Sequence, residues 1–178
     1  MGLHRGFTLI ELLIVVAAAT LLCAVAVPAL SGGLEAARGA DARAALLSSL
    51  LAASNRAALT GTRSVLCPSP DGRSCADSPD WSLGWLVFLD TNASREFDAD
   101  ETLLRVQPAL AGRVRLRSTV GRTRIVFQGN GGNAGSNVTF TLCDGRGPGK
   151  ARALILSNTG SLRDGAATAD NLAATCAP

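Results

Sequence analysis

One apolar stretch near the N-terminus constrains this chain more than any other feature of its sequence. Residues 7–30 form a run of 24 residues in which Glu11 is the only charged side chain. As an α-helix this run is about 36 Å long, enough to cross a hydrocarbon core of about 30 Å. The short segment before it contains Arg5, which predicts a cytoplasmic N-terminus.

Three interpretations of this stretch compete. A secretory signal peptide fits poorly, because no small-x-small cleavage site ends the run and Glu11 is out of place in an apolar signal region. A plain signal anchor explains the length, but an unpaired carboxylate near the start of an apolar helix is costly. A precursor with a short leader is the third interpretation, and it offers Glu11 a partner.

Residues 6–11, Gly-Phe-Thr-Leu-Ile-Glu, resemble the signature of type IV prepilins. The resemblance implies that a prepilin peptidase cuts after Gly6 and that the new N-terminal residue, Phe7, is methylated. Glu11 is then the fifth residue of the mature chain, where it can pair with the N-terminal ammonium of a neighbouring subunit. Burying both charges is tolerable only as a pair. Pro28 matches the helix-kinking proline of the same family.

The chain changes character twice beyond this stretch. Ser31-Gly32-Gly33 weakens the helix, and a second helical pattern follows, with its polar side marked near the start by residues 35, 38, 41 and 43. Its predicted core stripe is Leu46, Leu47, Leu50 and Leu51. From residue 62 onward short strands and turns are predicted at 64–67, 81–89, 103–106, 114–118, 123–127, 138–143 and 153–157. The segments 114–118 and 123–127 are predicted to pair with each other as a hairpin.

These segments predict an α+β protein with a pilin-like fold, in which a long N-terminal helix packs on a C-terminal antiparallel β-sheet domain. The predicted organisation has four parts. They are a leader at 1–6, a transmembrane or filament-core helix at 7–30, an amphipathic half of that helix at 31–60, and a β-rich globular domain at 61–178.

Four of the five cysteines lie downstream of the apolar stretch. If that region is exported, they predict two disulfides, and pairing of near neighbours joins Cys67 to Cys75 and Cys143 to Cys176. Four cysteines allow three connectivities, so the other pairings stay open. Buried free thiols or a zinc site are the alternatives, and the absence of a Cys-x-x-Cys pair argues against zinc.

The sequence argues against an enzyme. If the leader is removed, its only histidine, His4, is lost with it, and the chain has no tyrosine, so a Ser-His-Asp or Cys-His arrangement is then impossible in the mature form. Residues 90–101 place oxygen side chains at EF-hand positions, but Arg95 stands where that loop needs glycine. A polar hairpin loop with its acids facing water is therefore favoured over a calcium site, and we expect no metal and no cofactor.

The order of motifs in the globular part resembles the FimT, FimU and GspH branch of minor pilins. The resemblance is carried by motifs at 66–75 (LCPSPDGRSC), 81–92 (WSLGWLVFLDTN), 98–105 (DADETLLR), 125–127 (IVF), 140–143 (FTLC) and 154–160 (LILSNTG). It implies a minor subunit of a type IV pilus that helps to initiate or cap filament assembly. The alternative is a minor pseudopilin of a type II secretion system. Implied partners are other pilins or pseudopilins, prepilin peptidase and the inner membrane, which a single helix spans with the globular domain in the periplasm.

Basic residues are concentrated in the second half of the chain. Between residues 102 and 163 there are ten Lys or Arg and one acid, Asp144. Five arginines, at 113, 115, 117, 122 and 124, alternate along two predicted strands and would line one face of a sheet. Such a face is either solvated or binds an anionic partner, such as DNA phosphate, an acidic subunit or lipid headgroups.

Resemblance to FimT-type subunits also implies DNA binding during natural transformation, through basic C-terminal loop residues and a Gly-Arg-x-Arg motif. The matching place here reads Gly160-Ser161-Leu162-Arg163, so Ser161 replaces the first arginine. The candidate DNA-binding residues are Arg146, Lys150, Arg152 and Arg163. The glycines of segment 145–149 would let the backbone approach a phosphate.

Overall fold

The computed structural model describes residues 8–135 and 137–177. It consists of two units, and the second unit begins at Glu35. The cleavage site predicted between Gly6 and Phe7, with its N-methylation, lies outside the described residues and stays a prediction.

The first unit contains the start of helix α1 (Leu9–Thr60). Pro28 lies inside the helix without ending it, although proline removes a backbone donor. Ser31 donates its hydroxyl to the Pro28 carbonyl at 2.9 Å. The helix also continues through Gly32 and Gly33, so the weak point predicted there does not interrupt it.

The second unit contains two four-stranded antiparallel sheets, and the rest of α1 packs with both of them. The first sheet has the order β3-β2-β1-β5, and its strands are β1 (Arg63–Pro68), β2 (Trp85–Asp90), β3 (Thr102–Gln107) and β5 (Ile125–Phe127). The second sheet has the order β4-β6-β7-β8, with β4 (Arg115–Ser118), β6 (Val138–Cys143), β7 (Arg152–Leu156) and β8 (Leu162–Gly165). The fold is α+β and pilin-like, as predicted.

The core of the second unit forms where α1 packs on the two sheets. Leu46 and Leu50 are buried there together with Trp81, Trp85 and Phe140. The predicted leucine stripe is therefore correct at Leu46 and Leu50. Leu51 is 61% exposed, because it lies on the side of the helix that faces away from the sheets, and the prediction is wrong for this residue.

The polar side predicted at the start of this helical segment is wrong at one position. Glu35 is only 7% exposed, and it forms an ion pair with Arg38 at 2.8 Å. A carboxylate can be buried here because it is paired and also accepts a hydrogen bond from the amide of Gly145.

The predicted hairpin of segments 114–118 and 123–127 is also wrong. β4 pairs with β6 in the second sheet, whereas β5 pairs with β1 in the first sheet. The turn between them is real, since the Ser118 hydroxyl donates to the Arg122 carbonyl at 2.7 Å. The two arms diverge after this turn because each finds a longer-range partner strand.

The C-terminal tail contains two regular elements. Residues 162–165 form the edge strand β8, and helix α2 (Ala169–Cys176) follows. The Thr168 hydroxyl accepts the Asn171 amide and so caps α2. Cys176 is bonded to Cys143, and Cys67 is bonded to Cys75, which are the two pairs that the sequence predicts.

Candidate functional site

The exposed apolar surface of the first unit is the first feature that a function must explain. Every described side chain from residue 8 to residue 31 is exposed, and most of them are Leu, Ile, Val or Ala. By length and composition, α1 is apolar enough to cross a membrane. An apolar surface of this size requires lipid or protein around it.

Glu11 lies at the start of this surface. Its Oε2 accepts the Thr8 amide at 3.0 Å and the Thr8 hydroxyl at 2.8 Å, and the Glu11 amide donates to the Thr8 hydroxyl. This reciprocal arrangement is a capping box, which satisfies backbone donors at the helix start. In a single subunit the carboxylate therefore stabilises its own helix terminus, close in sequence to the predicted new N-terminus.

A basic cleft in the second unit is the other candidate site. It is a cavity of about 390 Å³ beside α1 and the start of β7. Three of the four predicted DNA-binding residues line it, namely Arg146, Lys150 and Arg152. The fourth, Arg163, is exposed on β8 opposite Ile155 and does not line it.

Two ion pairs hold two of the four cations that line this cleft, Arg43 and Arg146. Arg146 forms a two-pronged pair with Asp144, with Nη2 donating to Oδ2 at 2.7 Å and Nε donating to Oδ1 at 3.0 Å. Hydrogen bonds from the Arg146 side chain hold the pKa of Asp144 below its ordinary value, and the pair raises the pKa of Arg146. Arg43, on α1, also lines the cleft and pairs with Asp164 at 3.0 Å.

The glycine-rich loop beside the cleft is fixed to α1. The Gly145 amide donates to Glu35 Oε2 at 3.1 Å. This amide is therefore already bonded, whereas the sequence predicts that the backbone of this loop can approach a phosphate. A Cβ at Gly145 would collide with the Glu35 carboxylate, and one at Gly39 would lie 2.9 Å from Asp144 Oδ2. The close approach of helix and loop therefore requires glycine on both sides.

A second basic cavity lies on the other side of the same loop. It has a volume of about 340 Å³, and Arg113 and Arg115 line it together with Asp144 and the end of α2. Asp144 lines both cavities, so the loop that begins there separates them. The arginines at 113 and 115 are distant in sequence from those at 146 and 152, but the two groups lie on either side of one loop in the fold.

The predicted single face of five arginines does not exist. Arg124 belongs to the segment before β5 and pairs with Glu96 at 2.6 Å, on the first sheet rather than the second. Arg122 lies in the turn that precedes β5 and packs near Gly135. The five arginines do not share one face because segments 113–117 and 122–124 enter different sheets.

The loop at residues 90–101 connects β2 to β3, as the predicted hairpin requires. Its acids do not all face water, however: Asp90 is 2% exposed and Glu101 is 7% exposed. Glu101 accepts the Thr91 amide at 2.9 Å and so fixes the loop. Across residues 8–135 and 137–177, no cluster of three or more His, Cys, Asp or Glu could hold a metal ion.

Two protein-family models match this chain. The family model described as Type II transport protein GspH matches residues 42–160. The chain belongs to the GspH family. A second model, the prokaryotic N-terminal methylation motif, matches residues 1–27. Together they confirm the resemblance to minor pilins of the FimT, FimU and GspH branch.

Solved structures share the fold of this GspH-family chain at low identity. The type IV minor pilin FimU of Pseudomonas aeruginosa is 20% identical in one crystal form, with a TM-score of 0.53, covering 70% of this chain and 90% of FimU. The minor pseudopilin EpsH from the type 2 secretion system of Vibrio cholerae is 15% identical, with a TM-score of 0.51, covering 72% of this chain and 97% of EpsH. The search of curated proteins found no match.

Two functional candidates of this GspH-family chain are not evident from its sequence. Arg43 lies on the predicted polar side of the helix, and nothing in the sequence relates it to Arg146, which lines the same cleft. Glu35 has the sequence pattern of a solvated acid, although it anchors the loop that carries Arg146. The one available signal was Gly39 in an alanine-rich helix, since glycine there indicates a close approach by another segment.

Proposed function

We propose that this GspH-family chain is a minor pilin of a type IV pilus, a non-enzymatic subunit that helps to initiate or cap filament assembly. Its N-terminal helix anchors it in the inner membrane with the globular unit in the periplasm, and prepilin peptidase matures it. The observation that carries the proposal is the exposed apolar part of α1 with the acid Glu11 at its start. Membrane lipid covers this surface before assembly, and neighbouring pilins cover it afterwards.

Glu11 has a specific role in this proposal. Cleavage after Gly6 creates an ammonium group on Phe7, and the carboxylate of an adjacent subunit neutralises it in the apolar filament core. The capping box with Thr8 keeps that carboxylate ordered near the helix start until assembly. Either charge alone would be costly in the filament core, so the pair also fixes how far one subunit is displaced along its neighbour.

Replacing Glu11 with alanine is expected to leave leader cleavage intact but to lower incorporation into filaments by about tenfold or more, because the neighbour's ammonium loses its partner. The measurement is the ratio of subunit in sheared filaments to subunit in membranes. Glu11→Gln should fail similarly because it lacks the charge. Thr20→Ala is the matched control, since Thr20 bonds only to its own helix at the Ala17 carbonyl. Filament levels equal to the parent chain in Glu11→Ala would contradict the pairing.

A minor pseudopilin of a type II secretion system is the second candidate. It is favoured by the likeness in fold to EpsH, whose TM-score is close to that of FimU. The anchor and the Glu11 pairing would serve a pilus and a secretion system equally. Deleting the gene distinguishes the two candidates, because loss of a pilus subunit lowers piliation and loss of a pseudopilin lowers protein secretion.

DNA binding by the same subunit is supported by the basic cleft. Arg43, Arg146, Lys150 and Arg152 line one cavity with a single acid, Asp144. Cations grouped in this way neutralise backbone phosphates without reading sequence. The proposal assigns Arg146, Lys150 and Arg152 to the site, with Arg163 on the neighbouring β8.

The unit from Glu35 onward is expected to retard duplex DNA in a gel at low salt, with an affinity that falls steeply as salt rises. Reversing Arg146 and Arg152 to glutamate should abolish the shift. The matched control reverses Arg63 and Arg73, which are exposed elsewhere on the unit. No retardation of the parent unit at low salt would remove DNA binding from the proposal.

A further inference from the structure

Six basic side chains gather at one end of the second sheet. β6 ends at Cys143, β4 begins opposite it at Arg115, and β7 begins at Arg152 opposite Leu142. We call this the basic end, and its cations are Arg43, Arg113, Arg115, Arg146, Lys150 and Arg152. Arg115 shares a sheet face with Cys143 and Arg152 shares the opposite face with Leu142, so the cations surround the loop that begins at Asp144.

The basic end carries a clear excess of positive charge. Two acids, Asp144 and Asp164, pair with Arg146 and Arg43, which leaves four of the six cations in excess. Among residues 8–135 and 137–177, Arg113, Arg115, Lys150 and Arg152 form no ion pair. All four are exposed. Such a cluster is suited to a partner that presents several phosphates at once.

The apolar segment enters the globular unit at this same end. Glu35, the first residue of the second unit, accepts the Gly145 amide at 3.1 Å, and Gly145 belongs to the loop between the two cavities. Four uncharged residues separate Leu30 from Glu35. Even fully extended, this connection spans at most about 18 Å, and as a helix it spans about 7.5 Å. Chain length alone therefore keeps the basic end close to any membrane that holds residues 7–30.

We propose that the basic end binds the phosphates of anionic phospholipid headgroups while the subunit is anchored in the membrane. This inference rests on the proposed membrane anchoring. A bilayer surface is a continuous array of phosphates, so it can contact cations on both faces of the sheet end. The membrane is also the anionic surface that the short connection between Leu30 and Glu35 keeps near the basic end. Each Lys or Arg near an anionic leaflet strengthens such a contact by about fivefold.

The contact would hold the globular unit on the membrane before assembly. Leaving the membrane for the filament then means exchanging lipid phosphates for other partners, so lipid charge would regulate how readily the subunit is incorporated. Salt screens such contacts beyond a Debye length of about 8 Å at physiological ionic strength, so the contact requires the basic end to approach the headgroups that closely.

The test uses the mature full-length chain in nanodiscs of phosphatidylcholine alone, or of phosphatidylcholine and phosphatidylglycerol in equal parts. Hydrogen exchange is measured on the turn amides of Gly147, Lys150 and Ala151, which bond only within their own loop. We expect exchange to slow by about fivefold or more in the anionic nanodiscs, because one cation alone contributes about that factor. High salt should reverse the effect.

Variants identify the side chains responsible. Lys150→Gln with Arg152→Gln, and Arg113→Gln with Arg115→Gln, should each reduce the protection without breaking an ion pair. The control, Arg63→Gln with Arg73→Gln, removes the same charge from exposed positions elsewhere and should keep the protection.

Three outcomes would overturn the proposal. Equal exchange in the two kinds of nanodisc excludes the lipid contact while leaving the membrane anchor intact. Protection by an added DNA duplex, without protection by phosphatidylglycerol, assigns the basic end to nucleic acid instead. A chain that enters neither nanodisc contradicts the proposed anchoring, and the lipid contact falls with it.

Discussion

Replacing Leu46 with alanine is expected to destabilise the globular unit by about 2–5 kcal/mol, the usual cost of removing a buried leucine side chain. Leu46 is 0% exposed and packs in the core between α1 and the two sheets. The substitution removes apolar burial and leaves a cavity that rigid strands cannot fill. Urea unfolding of the unit from Glu35 onward measures the change.

Leu51→Ala is the matched control for that substitution. Leu51 lies on the same helix in the same leucine pattern, but it is 61% exposed. The expected change in unfolding free energy is within about 0.5 kcal/mol, as for most surface substitutions. Similar costs for the two substitutions would mean that Leu46 does not lie on the side of the helix that faces the sheets.

Removing the bond between Cys143 and Cys176 by replacing both with alanine is expected to cost about 3.7 kcal/mol in the loop-entropy description. The bond closes a loop with a sequence separation of 33 residues. Its loss should also release α2, because an isolated helix of eight residues is unstable in water. Thermal unfolding measures the first effect, and amide exchange across residues 169–176 measures the second.

The other disulfide provides the comparison. Cys67 and Cys75 are separated by only 8 residues, so replacing both with alanine should cost about 2.5 kcal/mol by the same relation. It should leave α2 protected from exchange. A larger loss from the Cys67 and Cys75 pair than from Cys143 and Cys176 would contradict this assignment of their roles.

The features predictable from the sequence are those set by nearby residues. The apolar stretch, the acid at its start and the buried strand around Trp85 are each recognisable within a short window. Gly84 shows where prediction from nearby residues stops. Its φ is 108° and the Gln107 carbonyl lies beside it, so the strand predicted to begin at Trp81 begins only after Gly84, at Trp85. The strand boundary depends on a neighbour more than twenty residues away.

The wrong expectations share one physical cause, which is that the deciding partner is distant in sequence. The turn after Ser118 fits a hairpin locally, yet Ser118 donates its amide to Pro79, and Thr119 donates to Thr139. Glu35 looks solvated until Gly145 is placed beside it. Arg43 and Arg146 show no relation until the loop packs on α1. Local pattern predicts elements, whereas the sites here form from contacts between elements.

Glu11 can neutralise the terminus of a neighbouring subunit only if the leader is cleaved after Gly6. Mass spectrometry of the N-terminal peptide from membrane and filament fractions shows whether this cleavage occurs. We expect a chain that begins at Phe7 and carries one methyl group on its amino nitrogen. A protein in those fractions that still begins with Met1, or that has been trimmed beyond Leu30, would mean that no such terminus forms.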